Sequence, residues 1–316
     1  MSFKISVLSY DDERVKCLNL PLYANPKFCL PIAELHGIEL AYISVYNSEE
    51  LWAIMPLFTR TKLGRKQLIT PILSYYNPIV YFLPEQHRPN KNLLHKLGIT
   101  ELIAKYIKEN FTNCHINLSP DIKDIRSFQQ SDFVCKPLYT FTFDLDPSFE
   151  PNLFAKEGTS LRKAQRIGIE IKEEFAPNEF ISLLNQTNER QNRIFNIPDA
   201  KHRELLQKLR DSGHLIQLNA YLNSELVSAL LILNDPDKQV LYAWQNGTNP
   251  LFLNSGVSLL MHYEVIKQYK NTHTVYDLCG GNHSSISRFK TAMGADLKLF
   301  FRLEYKKSRI PIPKLR

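Results

Sequence analysis

The sequence predicts a mixed α/β protein made of one unit used twice in tandem, each unit a mixed, mostly antiparallel sheet flanked by helices. Three observations carry that expectation. Two β-rich apolar runs, 40–45 and 52–58, flank the polar stretch Tyr46-Asn47-Ser48-Glu49-Glu50-Leu51, the pattern of a hairpin. The second half repeats it, with runs over 218–222 and 226–233 on either side of Asn223-Ser224-Glu225. Downstream of each hairpin, helical and strand-like segments alternate in matching order, and a sheet that buries one face needs helices to cover it.

In chain order, the first copy continues with a helix over 91–110, a short strand over 115–118, a short helix or turn around 122–130 and a strand over 138–145. The second continues with a strand over 240–244, a helix over 255–269, a strand over 274–279, a helix over 284–293 and a strand over 297–305. Pro147 and Pro151 oppose a continuing helix or central strand, so the junction falls within 146–157 and the domains are read as 1–150 and 151–316. Within 255–269, Val257, Leu260, Met261 and Val265 recur at three and four residues, a buried stripe, with Asn254 or Ser255 placed to cap the first N–H groups. Another helix, over 199–210, starts at a capping Asp199 after Pro198, and Gly213 suits the left-handed turn that ends it.

The chain has 316 residues, room for about two domains at the usual ~100–200 residues each. With 44% hydrophobic and 22% charged residues, it is neither a disordered nor a collagen-like chain. The longest apolar stretch, near 226–233, falls far short of the ~20 residues of a spanning helix, and 1–10 lacks a basic start with an apolar run behind it. A cytoplasmic protein with no transmembrane segment is expected. The five cysteines are scattered without a Cys-x-x-Cys pair, and none of the nine histidines forms a His-x-x-x-His or Glu-x-x-His pair, so neither a disulfide framework nor a metal site is expected. No GxxxxGK[ST] or GxGxxG stretch supports a kinase-type or dinucleotide-binding reading. The net charge of +7 belongs to the second half: 1–155 holds 16 basic and 16 acidic residues, 156–316 holds 23 and 16. Lys298, Arg302, Lys306, Lys307, Arg309, Lys314 and Arg316 against Glu304 make the C-terminal stretch either a contact for phosphates and acidic surfaces or a solvated terminus.

Three segments carry a family likeness: Gly158-Thr159-Ser160-Leu161-Arg162-Lys163-Ala164-Gln165-Arg166-Ile167-Gly168-Ile169, Trp52-Ala53-Ile54-Met55-Pro56-Leu57, and Val275-Tyr276-Asp277-Leu278-Cys279-Gly280-Gly281 followed by 287–295. In order and spacing they resemble the FemAB-like proteins and their acetyltransferase relatives in the GNAT superfamily. The resemblance implies a tandem pair of GNAT-like domains, acceptor side first and donor side second, that moves an acyl or aminoacyl group onto an amine. It implies acyl-CoA as donor co-substrate, with no tightly bound cofactor, in the acetyltransferase relatives, and aminoacyl-tRNA in FemAB proteins acting on peptidoglycan precursors. Nothing between Glu179 and Gly213 is long enough for the coiled-coil arm that tRNA-using members often carry.

In the segment 160–166, Leu161, Ala164 and Ile167 fall on one side of a helix, while Arg162 and Arg166, four apart, share the other with Lys163 flanking them. Paired guanidiniums grip phosphate or carboxylate. The resemblance sets this helix beside a groove between the units and makes Arg162 a contact to the phosphate of an anionic acceptor; the alternative is a solvated basic face. Tyr75 and Tyr76, within Pro71-Ile72-Leu73-Ser74-Tyr75-Tyr76-Asn77-Pro78, either line an acceptor pocket or pack structurally. In GNAT folds the strand ending at Trp244 and Gln245 splays from its neighbour and offers backbone N–H groups to the donor carbonyl oxygen; Trp244 stacks on the donor or fills core. Asn254, Ser255 and Gly256 form a phosphate cradle with one glycine, or a plain helix cap. Asp277 and His283 are the candidate general base and acid, against a turn-capping Asp277 and a solvent-facing His283. Phe289 and Lys290 match the family's Phe-Lys pair, Lys290 as a contact to a donor phosphate and Phe289 as packing.

The expected function is an N-acyltransferase in which the amine of an anionic small molecule or cell-wall precursor attacks acyl-CoA or aminoacyl-tRNA directly. No cysteine sits in a recognisable nucleophile setting. The alternative is a non-catalytic module of the same fold that binds an anionic cell-wall precursor or nucleic acid, although no basic run interleaved with aromatics favours RNA.

Overall fold

Both hairpins form, and each opens a sheet of the same pairing pattern. The computed structural model describes residues 3–84 and 88–307. They fall into two units, Met1–Leu138 with Leu299–Arg316, and Tyr139–Lys298. This division and the contiguous one at 150/151 differ over 139–150 and over the C-terminal segment.

In the first unit, β1 (Phe3–Ser9), α1 (Glu13–Lys16) and α2 (Pro26–His36) precede the hairpin of β2 (Glu39–Asn47) and β3 (Glu50–Lys62). Then come β4 (Arg65–Ile69), β5 (Val80–Tyr81), α3 (Pro89–Asn110), β6 (Asn113–Asn117), α4 (Arg126–Gln130) and β7 (Val134–Asp144). The sheet order is β1-β2-β3-β4-β6, antiparallel until the parallel β4–β6 pair, with β5 a short partner of β3. Ile99, Ile103, Ala104 and Ile107 of α3 share one buried core with Ile43, Met55, Ile116 and Leu303, a stripe at helical spacing laid on the sheet face. Sequence periodicity misses α2 because Pro31 lies inside it. The Asn25 side chain caps its first turn at Lys27, and Gly37, at φ 58°, ends it.

After β7 the order is α5 (Ala155–Arg166), β8 (Glu170–Glu173), α6 (Pro177–Arg190), α7 (Asp199–Asp211), β9 (Leu215–Leu222), β10 (Glu225–Asp235), β11 (Val240–Thr248), α8 (Val257–Tyr269), β12 (Val275–Asp277) and α9 (Ser284–Ala292) in the second unit, then β13 (Asp296–Lys306), which belongs to the first from Leu299 on. The second unit's sheet runs β8-β9-β10-β11-β12, antiparallel until the parallel β11–β12 pair. This is the first unit's pattern repeated. Asn223 and Ser224 turn the hairpin with φ of 49° and 67°, left-handed values that match the strands' twist. The stripe of Val257, Leu260, Met261 and Val265 is buried as its spacing predicts. Two helix starts are corrected. α8 begins at Val257 behind Gly256, and Asp199 lies inside the first turn of α7, where its carboxylate accepts from the Asn185 amide at 3.3 Å instead of capping. Gly213 ends α7 at φ 77°, as expected.

One further strand segment joins the sheet of each unit, 302–306 in the first and 142–144 in the second. β6 pairs antiparallel with β13 through Arg302–Lys306, and β12 pairs antiparallel with the end of β7, Asp277 opposite Thr142. Lys298, Arg302 and Lys306 are therefore strand residues and not a free tail: Lys298 lies 3.6 Å from Asp144, and the Arg302 Nε donates to Asn117 at 2.9 Å. Arg309, Lys314 and Arg316 lie outside the described residues.

Candidate functional site

Strand β11 carries an irregularity at the point where its neighbour leaves it. Leu231 of β10 faces Gln245 and Ile232 faces Ala243, so Trp244 is the extra residue of a bulge. β12 follows β11 only as far as Tyr242. After Asp277 the chain turns toward β7, Leu278 N–H donating to the Phe141 carbonyl at 2.8 Å, while β11 runs on to Thr248. The strands part at the bulge. Trp244 is buried, which makes it core and not an open stacking surface. A Cβ on Gly247 would stand 2.8 Å from the backbone of Leu183 and Leu184, so only glycine lets α6 lie this close on β11. Gln245 places its Nε2 3.2 Å from the His202 Nε2, and its Oε1 is buried without a hydrogen bond. Burial lowers His202 to about 4, keeping it neutral.

The basic helix and the loop before α8 are brought together. Leu161 and Ala164 are buried, and Arg162, Lys163 and Arg166 are exposed, as the helical spacing predicts; Ile167, expected on the buried side, is the exposed C-terminal cap residue. Lys163 Nζ donates to the Asn254 carbonyl at 3.3 Å, and Arg162 donates to the Thr159 hydroxyl at 3.2 Å. Gly256 adopts φ 85°, and a Cβ there would collide with the Ser160 carbonyl. The Ser255 hydroxyl donates to Phe252 at 2.6 Å and accepts from the Val257 N–H at 3.2 Å, so Ser255 works as a local cap. Among the described residues the N–H groups of Ser258 and Leu259 meet no acceptor, which leaves donors at the positive end of the helix dipole.

The turn after β12 is held from inside. Asp277 Oδ1 accepts from the Thr140 hydroxyl at 2.6 Å and from the Cys279 N–H at 2.7 Å, and the side chain is buried. The structure therefore gives Asp277 the turn-holding role instead of an open general base. Lys290 is corrected more sharply. Its buried ammonium donates to the carbonyls of Leu278 at 2.7 Å, Gly280 at 2.5 Å and Cys279, and an ammonium has three N–H groups, so none is left for a donor phosphate. Burial pushes its pKa down. Phe289 packs beside His262, whose Nδ1 lies 2.7 Å from the Tyr276 hydroxyl.

His283 is exposed at the start of α9, its Nδ1 3.0 Å from the Ser285 hydroxyl, and lines a pocket of about 320 Å3 with Arg190, Gln191, Arg193, Ser285 and Ile286. Sequence reasoning missed both arginines, because α6 itself was not assigned. The signal was present: Phe180, Ile181, Leu183 and Leu184 give a buried helical stripe that stops before Gln191-Asn192. Tyr75 and Tyr76 belong to the first unit. Tyr76 is core, edge-on to Tyr23 and Phe300 with centroids 5.3 Å away, and Tyr75 is half-buried with its carbonyl accepting from Asn117 at 3.1 Å.

Burial raises the thiols of Cys29, Cys114 and Cys135 above their ordinary range, the opposite of an activated nucleophile. Among the described residues no three His, Cys, Asp or Glu side chains gather as a metal site, and no helix is long and apolar enough to cross a membrane.

Residues 159–291 match the model of the acetyltransferase (GNAT) domain, all within the second unit. In fold, the chain is similar to FemX, with a TM-score of 0.62 at 14% identity, covering 86% of this chain and 89% of that one. It is also similar to L-PGS from Bacillus licheniformis, with a TM-score of 0.57 at 12% identity over 96% and 94% of the two chains. No curated protein matches it in sequence.

Proposed function

We propose that this chain, whose second unit carries a GNAT acetyltransferase domain, is an N-acyltransferase that moves an acyl group from acyl-CoA to the amine of an anionic acceptor. The parting of β11 and β12 at the Trp244 bulge, inside the matched segment, carries this reading. A thioester carbonyl in that opening meets the β11 backbone beyond Tyr242, where N–H dipoles stabilise the charge that develops on oxygen. The amine nitrogen attacks the carbonyl carbon, the C–N bond forms, the C–S bond breaks, and the departing thiolate ends protonated as the amine loses its proton. His283, exposed at the mouth of its pocket, is the candidate to accept that proton; Asp277 and Lys290 hold the turn that positions it. Lys163, with the N–H groups of Ser258 and Leu259, is the candidate hold on the donor's phosphates, and Arg162 and Arg166 extend the same cationic side.

The resemblance to FemAB-like proteins makes aminoacyl-tRNA a second donor to test. Thermal shifts with acetyl-CoA, longer acyl-CoAs and charged tRNA separate the donors, since a ligand at 100 times its dissociation constant adds about 2.7 kcal/mol of stability. Acyl-CoA is expected to raise Tm and, with a panel of anionic amines, to release free CoA thiol. No response to any donor favours the alternative, a binding module of the same fold. Arg162→Ala with Arg166→Ala is expected to weaken donor or acceptor binding; unchanged affinity for both sinks the phosphate-grip part.

A further inference from the structure

The pocket beside His283 is built from two helix ends. α6 stops in a left-handed turn at Asn192, φ 50°, whose N–H donates to the Glu189 carbonyl at 3.0 Å while the Arg193 N–H donates to Asn188 at 2.9 Å. This pair of bonds is the Schellman arrangement, and it folds Arg193 back beside the end of the helix that carries Arg190. Both arginines are exposed, and neither side chain forms an ion pair or hydrogen bond among the described residues. From the other side, nine-residue α9 begins without a side-chain cap, and its first N–H groups, of Ser284, Ser285 and Ile286, meet no acceptor among the described residues. His283, which lines the pocket, has its Nδ1 3.0 Å from the Ser285 hydroxyl. The lining thus holds two guanidiniums, an imidazole and no carboxylate. Cationic groups turned into one concave space concentrate positive potential there and favour an anion that reaches it.

We propose that this pocket is an oxyanion subsite for a phosphate or carboxylate carried by the acyl acceptor, gripped by Arg190 and Arg193 so that the acceptor's amine lies toward His283. The acceptor's identity as an acyl acceptor rests on the acyl-transfer reading; the anion affinity does not. A volume of about 320 Å3 suits a small polar group rather than a long chain. The test uses the full chain without any donor: equilibrium titration and thermal shift with inorganic phosphate and with glutarate, against chloride at matched ionic strength. At least one of the two oxyanions is expected to bind, and Arg190→Gln with Arg193→Gln to weaken it at least tenfold, while Lys267→Gln on α8 leaves it unchanged. Tighter phosphate binding points to a phosphorylated acceptor, tighter glutarate binding to a carboxylate. Because both arginines are exposed, the double variant is expected to keep the parent Tm, and circular dichroism checks that it folds. Wild type that prefers neither oxyanion over chloride, or a folded double variant that binds as wild type does, overturns the proposal. Anion binding without transfer from any donor keeps this subsite and removes the acyl-transfer reading. Transfer with an acceptor KM unmoved in the double variant does the reverse.

Discussion

The ammonium of Lys163 donates to the carbonyl of Asn254 across 3.3 Å, which fixes the cationic side of α5 against the start of α8. The family resemblance puts the helix of Lys163 on the acceptor side and the loop of Asn254 on the donor side; the contact brings the two together. Lys163→Ala is expected to raise the KM for acyl-CoA about tenfold, the scale of one charge-assisted hydrogen bond, with a smaller effect on kcat. Since the side chain is exposed, Tm should stay near that of the parent. A KM increase confined to the acceptor would return Lys163 to the acceptor side.

Gly256 is the hinge of the same contact. Its φ of 85° and the Ser160 carbonyl beside it leave no room for a Cβ. Gly256→Ala is expected to cost on the order of 2 kcal/mol or more, since backbone strain and a collision with main chain add. Urea denaturation measures this. A loss below about 0.5 kcal/mol would show that α5 moves aside without difficulty.

Acid should loosen the second unit before its carboxylates titrate. Burial, with help from the Lys290 charge, lowers His262 from 6.5 to about 3, and burial lowers His202 to about 4. Between the folded and unfolded values the unfolded chain binds protons that the folded chain refuses, so stability is present above about pH 6.5 and is lost as pH falls through that window. The slope is about 1.4 kcal/mol per pH unit for each histidine. Chemical denaturation between pH 7.5 and 5 reads it, and His262→Gln should flatten it. A stability that is level over this range would mean that both imidazoles protonate freely in the folded chain.

The left-handed turn at Asn192 gives a prediction in both directions. Asn192→Gly should be neutral or slightly stabilising and preserve anion binding, because glycine accepts that φ without strain. Asn192→Val should cost about 1–2 kcal/mol and weaken phosphate binding by displacing Arg193. Equal anion affinity in the two variants would separate the turn from the pocket.

What was legible follows from where the information sits. The hairpin at Asn223-Ser224, the stripe on α8 and the cationic side of α5 are local patterns of period two or 3.6, and they appear as expected. β8 was not readable because four residues with one half-buried Ile171 carry too short a pattern, and α2 because Pro31 interrupts it. The family resemblance makes Lys290 a phosphate ligand, and nothing in one dimension shows the partners that overrule it. The carbonyls that consume its three protons come from a backbone turn at Cys279 and Gly280, with φ of 52° and 53°, that no side-chain pattern announces. Tyr76 is similar: its aromatic partner Phe300 lies more than two hundred positions away, and only the pairing of the last strand with β6 brings it near.

That pairing also sets the order in which the molecule can be finished. When a ribosome has released 1–150, the far edge of β6 still waits for 302–306, and the strand already made for β12 waits for a partner not yet translated. The first unit therefore keeps an open edge at β6 until the last strand is made, and a nascent chain stalled midway displays that edge to whatever chaperone or neighbour meets it first.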